Sequence, residues 1–139
     1  MPKFAANLSF LFADTPFPGR FRCAAQAGFK GVEYLFPYDY PAGEVAAWLA
    51  GNDLEQVLFN LPPGDWASGE RGLACLPDRR GEFAESVELA MHYAVQLDCR
   101  RVHCMAGLRP DGIDEALLEA AYVANLRYAA DRFASIGVT

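Results

Sequence analysis

Histidine is scarce in this sequence: two in 139 residues, at positions 92 and 103. They are not spaced as a pair of metal ligands, so neither marks a zinc-type site. Cysteine is also sparse, at 23, 75, 99 and 104, with no Cys-x-x-Cys pair. That excludes a disulfide-stapled mini-protein and reads as free thiols in a reducing cytoplasm. No run of basic residues exceeds two (Arg79-Arg80, Arg100-Arg101) and the net charge is -6, which argues against a nucleic-acid-binding surface. No apolar stretch approaches the roughly 18 residues of a membrane span. The apolar start FAANLSFLFA is interrupted by Asn7 and Ser9 and is followed by no small-residue cleavage site, unlike a secretory leader. No glycine motif of the P-loop or dinucleotide type is present.

What is present is apolar. A hydrophobic fraction of 53% excludes disorder, and the length suits one domain, residues 1–139. The punctuation suggests a repeated strand–helix unit. Phe4 to Phe12 reads as a strand, broken by Pro16, Pro18 and Gly19. Arg20 to Ala27 has helical composition and ends at Gly28. Gly31 to Phe36 is a second strand, and Gly43 to Gly51 a second helix closed by glycine. Glu55 to Leu61 is a third strand, stopped by Pro62-Pro63-Gly64. A long polar stretch from Gly64 to Gly81 follows, and loops of this length inside a domain are usually functional. Phe83, Val87, Ala90, Met91, Ala94 and Leu97 recur at steps of three and four, predicting a helix over 82–97. Arg101 to Ala106 is the fourth strand. Asp114 caps a last helix running to about Ser135. This βαβαβαβα order implies a parallel sheet with helical crossovers. It fits either an open doubly wound sheet or half of a (β/α)8 barrel, and periodicity does not choose between them.

In both architectures chemistry sits at the carboxyl ends of the strands. After strand one stand Asn7 and Ser9. After strand two come Glu33, Phe36, Tyr38 and Asp39. Asn60 closes strand three, and its exit loop holds Asp65, Trp66, Glu70 and Arg71. After strand four come His103 and Cys104. Glu33 is the most suggestive carboxylate because it lies inside an apolar strand. Facing inward it requires a hydrogen-bond partner; facing outward it meets a helix end or an arginine. Arg71 offers a fork that fits a carboxylate, and Trp66 a lid. The plainer reading has Trp66 packing its loop and Arg71 paired with Glu70 or Asp65 in solvent. His103 and Cys104 are strand neighbours that point to opposite faces, so they do not form a nucleophile–base pair. His92, on a helix, reads as structural.

The segments FAANLSFLF, QAGFKGVEYLFPYDY, LFNLPPGDWASGERGLACLP and NLRYAADRFASIGVT, in this order, resemble the hydroxypyruvate isomerase family. The related 2-oxotetronate isomerases share these features. The resemblance implies a (β/α)8 TIM-type barrel of the xylose-isomerase-like group, of which this chain carries the first four βα units. It implies an intramolecular oxidoreductase, interconverting hydroxypyruvate and tartronate semialdehyde by proton transfer through an enediolate. It further implies a carboxylate base and a divalent metal, Mg or Mn, in the full-length enzyme. Family members run to roughly 250 residues, the usual barrel size. The resemblance therefore places both catalytic glutamates and the metal ligands beyond Thr139, leaving no catalytic or metal residue here and an inactive isolated chain.

What it carries onto this chain is a substrate-binding wall. From the first two strands these are Asn7, Glu33, Phe36 and Tyr38. From the last two they are Asn60, Asp65, Trp66, Glu70, Arg71 and Cys104. Arg71 is expected to meet the substrate carboxylate. The alternative is a non-catalytic half-barrel module that self-associates or binds a partner. On either reading the expected partners are a small hydroxy or oxo acid and further copies of the chain. These would form a homo-oligomer through exposed half-barrel edges, with neither nucleic acid nor membrane involved. A DNA-repair endonuclease of the related barrel type requires many more histidines than two.

Overall fold

The computed structural model describes residues 2–139. The elements are β1 (Ala5–Asn7), α1 (Phe17–Gln26), β2 (Gly31–Glu33), α2 (Ala42–Gly51), β3 (Glu55–Asn60), α3 (Arg80–Gln96), β4 (Val102–His103) and α4 (Glu115–Ala134). The strands form one sheet in the order β1-β2-β3-β4. β1 pairs with β2 and β2 with β3 in parallel, which agrees with the alternating sequence pattern. The chain divides into two compact units, Met1–Phe59 with His92–Arg101, and Asn60–Met91 with Val102–Thr139.

The helices end by one repeated device. A residue in the left-handed region is followed by one whose N–H reaches back five residues. Phe29 bonds Ala24 at 3.1 Å, Leu54 bonds Leu49 at 3.1 Å, Cys99 bonds Ala94 at 2.9 Å and Val138 bonds Phe133 at 3.1 Å. This is the Schellman arrangement, which satisfies carbonyls left over at a helix end. Gly28 and Gly137 take the left-handed position in α1 and α4, as their placement predicts. In α2 the expectation of a glycine stop is corrected: Gly51 is still helical, and Asp53 takes the strained position at φ 53°. Asp98 does the same for α3 at φ 48°.

The strands are shorter than the apolar runs suggest, for identifiable reasons. β1 was expected to reach Phe12 but stops at Asn7, whose carbonyl and side chain take the N–H groups of Leu11 and Ser9 at 2.9 and 3.0 Å. Such an Asx turn competes with the sheet ladder for the backbone. α1 begins at Phe17, so Pro18 and Gly19 lie in its first turn instead of breaking the chain. A proline there loses only an N–H that has no helical partner. β2 ends at Glu33, not Phe36. β4 was expected to reach Ala106 but is two residues long. Ala106 instead forms an antiparallel bridge with Gly72, and Cys75 N–H bonds its carbonyl at 2.7 Å.

Within the first unit the core is aromatic. Phe17 packs edge-on against Tyr34 and Trp48, and Phe21 edge-on against Tyr34 and tilted against Trp48, at ring separations of 5.2–6.4 Å. Val32, Val45 and Phe59 are fully buried. In the second unit Leu73, Phe83, Val87, Leu118, Ala129 and Phe133 are buried, and Asn125 ties the Ala74 carbonyl to α4 at 2.9 Å. Glu88 and Arg132 pair α3 with α4 through two bonds of 2.6 and 2.7 Å.

Candidate functional site

In the first unit the candidate residues close β1 and β2. Asn7 and Glu33 are direct partners in the parallel register, so their side chains leave the same face. Asn7 Nδ2 donates to Glu33 Oε1 at 3.0 Å. The Ser9 N–H on Asn7 Oδ1 fixes which end of the amide faces the carboxylate. The Glu33 carboxylate thus has a hydrogen-bond partner, and that partner is an amide and not an arginine. On the other side of β2 the pairing moves from Val32–Gln56 to Glu33–Leu58 and skips Val57, a bulge in β3. A bulge of this kind turns a side chain away from its regular direction.

Tyr38 stacks edge-on with Phe59 and Tyr93, at 6.3 and 5.1 Å. Burial, then the neighbouring Tyr93 and Tyr34 phenols, pushes its own phenol far above the ordinary tyrosine range. It therefore stays a neutral hydroxyl. Phe36 is half-buried.

In the second unit the loop after β3 is built around Glu70. Its carboxylate takes the Asp65 N–H at 2.5 Å and pairs with Arg79. Arg79 in turn holds Glu82 in the first turn of α3 at 2.7 Å. The Arg79 hydrogen bond, then the Asp65 N–H, holds the Glu70 carboxyl below its usual range. Asp65 closes a turn by accepting Ser68 N–H at 3.0 Å and Ser68 O–H at 2.7 Å. Both carboxylates are thus engaged within the loop.

The expected pairing of Arg71 with the Glu70 or Asp65 carboxylate is not what forms. Arg71 lies over the Trp66 ring, 3.7 Å from its centroid. Its Nη1 donates to the Trp66 and Glu70 carbonyls at 3.1 and 2.7 Å. Nε and Nη2 have no hydrogen-bond partner among the described residues. The guanidinium is held in one place with one edge open, a geometry that suits a carboxylate.

Asn60 and His103 close β3 and β4. Asn60 is buried; its Nδ2 meets Met105 Sδ at 3.8 Å and its Oδ1 meets His103 Nδ1 at 3.3 Å. Leu61 N–H bonds the His103 carbonyl at 2.9 Å. The His103 ring is exposed. Sequence reasoning set His103 aside after weighing it only against Cys104 and His92. The relevant neighbour lies 43 positions earlier, and the shared strand-end position of Asn60 and His103 was the available signal. Burial pushes the Cys104 thiol up to about 11, so it is not a nucleophile at neutral pH. All four cysteines are free.

Among the described residues no three His, Cys, Asp or Glu side chains converge as metal ligands. The donors here, Asn7 with Glu33 and Asn60 with His103, do not by themselves fit a divalent ion, and no step is derived through one. No helix among the described residues is long and apolar enough to cross a membrane.

Residues 21–139 match the sequence profile of the xylose isomerase-like TIM barrel family. The chain is 51% identical over 138 residues to 2-oxo-tetronate isomerase of Pectobacterium atrosepticum, covering 99% of this chain and 53% of that protein. It is 50% identical over 131 residues to hydroxypyruvate isomerase of Escherichia coli, covering 94% and 51%. A crystal structure described as an AP endonuclease, family 2, from Brucella melitensis superposes with a TM-score of 0.97. Its identity is 53%, with coverage of 100% of this chain and 54% of the other. The chain spans about half the length of these relatives.

Proposed function

The chain belongs to the xylose isomerase-like TIM barrel family, and on that premise we propose that it serves an aldose–ketose isomerase of short hydroxy-2-oxo acids. The observation that carries this is half-identity, over nearly the whole chain, to two isomerases of such acids. The substrate is hydroxypyruvate or 2-oxotetronate, and the reaction moves a proton between adjacent carbons through an enediolate. In this reading the four βα units are the first four of an eight-fold barrel. The base that moves the carbon-bound proton, and any Mg or Mn, belong to later strands.

This chain supplies binding and orientation. Arg71 takes the substrate carboxylate on its open edge, and Trp66 holds the guanidinium and excludes water. Cys104 forms an uncharged wall in the same unit. Glu70 and Asp65 act on the loop and not on the substrate.

The name of the structural relative raises an endonuclease reading. Against it stand the net charge of -6 and basic runs of at most two, since DNA binding draws chiefly on cations placed along phosphates.

The test is to express the longest product of the reading frame that contains these residues. It is assayed on hydroxypyruvate, on 2-oxotetronate and on abasic duplex DNA, with and without divalent metal. Turnover of either acid is expected. Cleavage of the DNA with neither acid converted would overturn the reading.

A further inference from the structure

We propose that His103 is the group that accepts and returns the substrate's hydroxyl proton, with Asn60 as the positioning residue that sets its tautomer. This rests on the isomerase reading but makes a separate claim. Asn60 is buried, and the contact of its Nδ2 with Met105 Sδ at 3.8 Å points its Oδ1 at His103, 3.3 Å from Nδ1. An amide oxygen only accepts, so Nδ1 of the neutral ring must carry the proton. Nε2 is then left with a free lone pair on an exposed ring. The hydrogen bond made by one imidazole nitrogen decides what the other can do.

Isomerisation of a hydroxy-2-oxo acid needs two proton movements. One is between the carbons and is assigned above to a carboxylate outside these residues. The other is between the oxygens: the O–H of the hydroxyl carbon is lost as that carbon becomes a carbonyl, and the former carbonyl oxygen gains one. A single neutral Nε2 serves both halves. It takes the proton from the first oxygen, becoming imidazolium, and returns it to the second. The ring is unchanged after a turnover, and no oxidant or reductant is needed. The backbone of His103 is fixed for this by the Leu61 N–H on its carbonyl at 2.9 Å.

The experiment is nitrogen-15 imidazole spectroscopy on the protein at a pH where the ring is neutral, alone and with hydroxypyruvate or with pyruvate, which lacks the hydroxyl. Calorimetry on the same samples reports binding. His103 is expected to show protonated Nδ1 and bare Nε2, reverting toward the opposite tautomer in N60L. Hydroxypyruvate, and not pyruvate, is expected to move the Nε2 signal. A protonated Nε2 in the unliganded protein overturns the proposal, whatever the substrate. Hydroxypyruvate binding with Nε2 unmoved overturns it while leaving the isomerase reading intact. Absence of binding by either acid overturns that reading and the role with it. In the longest active product, H103Q is expected to lower kcat at least a hundredfold with KM within threefold, since glutamine keeps a hydrogen-bonding side chain without proton transfer. An unchanged kcat overturns the role.

Discussion

The Arg71 guanidinium sits over the indole of Trp66, its carbon 3.7 Å from the ring centroid, while two carbonyls occupy its Nη1. Such stacking is worth about 0.5–1 kcal/mol at an exposed site. Its larger effect is to remove freedom that a long side chain would otherwise lose on binding. Replacing Arg71 with lysine keeps the charge and loses the fork. R71K is expected to raise KM for hydroxypyruvate roughly tenfold, R71A a hundredfold or more, and W66A by an intermediate factor, with smaller effects on kcat. Steady-state kinetics of the longest active product checks the order. Equal KM for R71A and the parent would remove Arg71 from the site.

Glu70 gives the second unit an acid-sensitive clamp. Its carboxyl is held below the usual value by the Arg79 hydrogen bond and the Asp65 N–H. A depressed folded-state value means stability that is fully present above the unfolded value, about 4.3. It is lost as pH falls through the folded value. Amide protection factors in residues 64–72, corrected for intrinsic exchange, are therefore expected to fall below about pH 4. In E70Q the clamp is weak at every pH, costing about 1 kcal/mol at neutrality. Parallel pH profiles for the two proteins would refute the clamp.

Gly72 is required by backbone crowding. Its φ is 122°, and a Cβ there would run into the Met105 carbonyl across the bridge. G72A is expected to lose at least about 1 kcal/mol of unfolding free energy. At Gly43, in the first turn of α2, a Cβ meets nothing within 4 Å, so G43A is expected to gain roughly 0.5 kcal/mol. Urea titration of both variants measures the contrast, and a neutral G72A would show that the bridge is not as tight as drawn.

Burial pushes the thiols of Cys99 and Cys104 up to about 11. At pH 8 their thiolate fraction is then roughly two orders of magnitude below that of an ordinary cysteine. Iodoacetamide labelling followed by peptide mapping is expected to find both nearly unmodified until the protein is unfolded. Rapid labelling of folded Cys104 would reopen it as a nucleophile.

The alternating βα order, the long periodic helix and the Asp114 cap were legible because each depends on residues within about five positions of one another. Asp114 does accept the Ala116 N–H at 2.9 Å. Of the apolar positions predicted for α3, Phe83, Val87, Ala90, Ala94 and Leu97 are buried, and Tyr93 joins them while Met91 is only half-buried. Strand ends were not legible, because at Asn7 and Ala106 a side chain or a distant loop claims the backbone before the apolar run ends. The ends of α2 and α3 were read to within a residue, but the left-handed residues that follow them, Asp53 and Asp98, went unnamed because glycine is the usual signal there and aspartate only tolerates the same backbone.

The sequence by itself placed Asn7, Glu33, Asn60 and His103 within the four strand segments, through local pattern, without marking them as the last strand residues. Tertiary structure alone decided what each of them meets. Asn7 finds Glu33 across 26 positions and Asn60 finds His103 across 43. The first of these pairs is set by the β1–β2 register, where a slip of one residue would reverse every side chain.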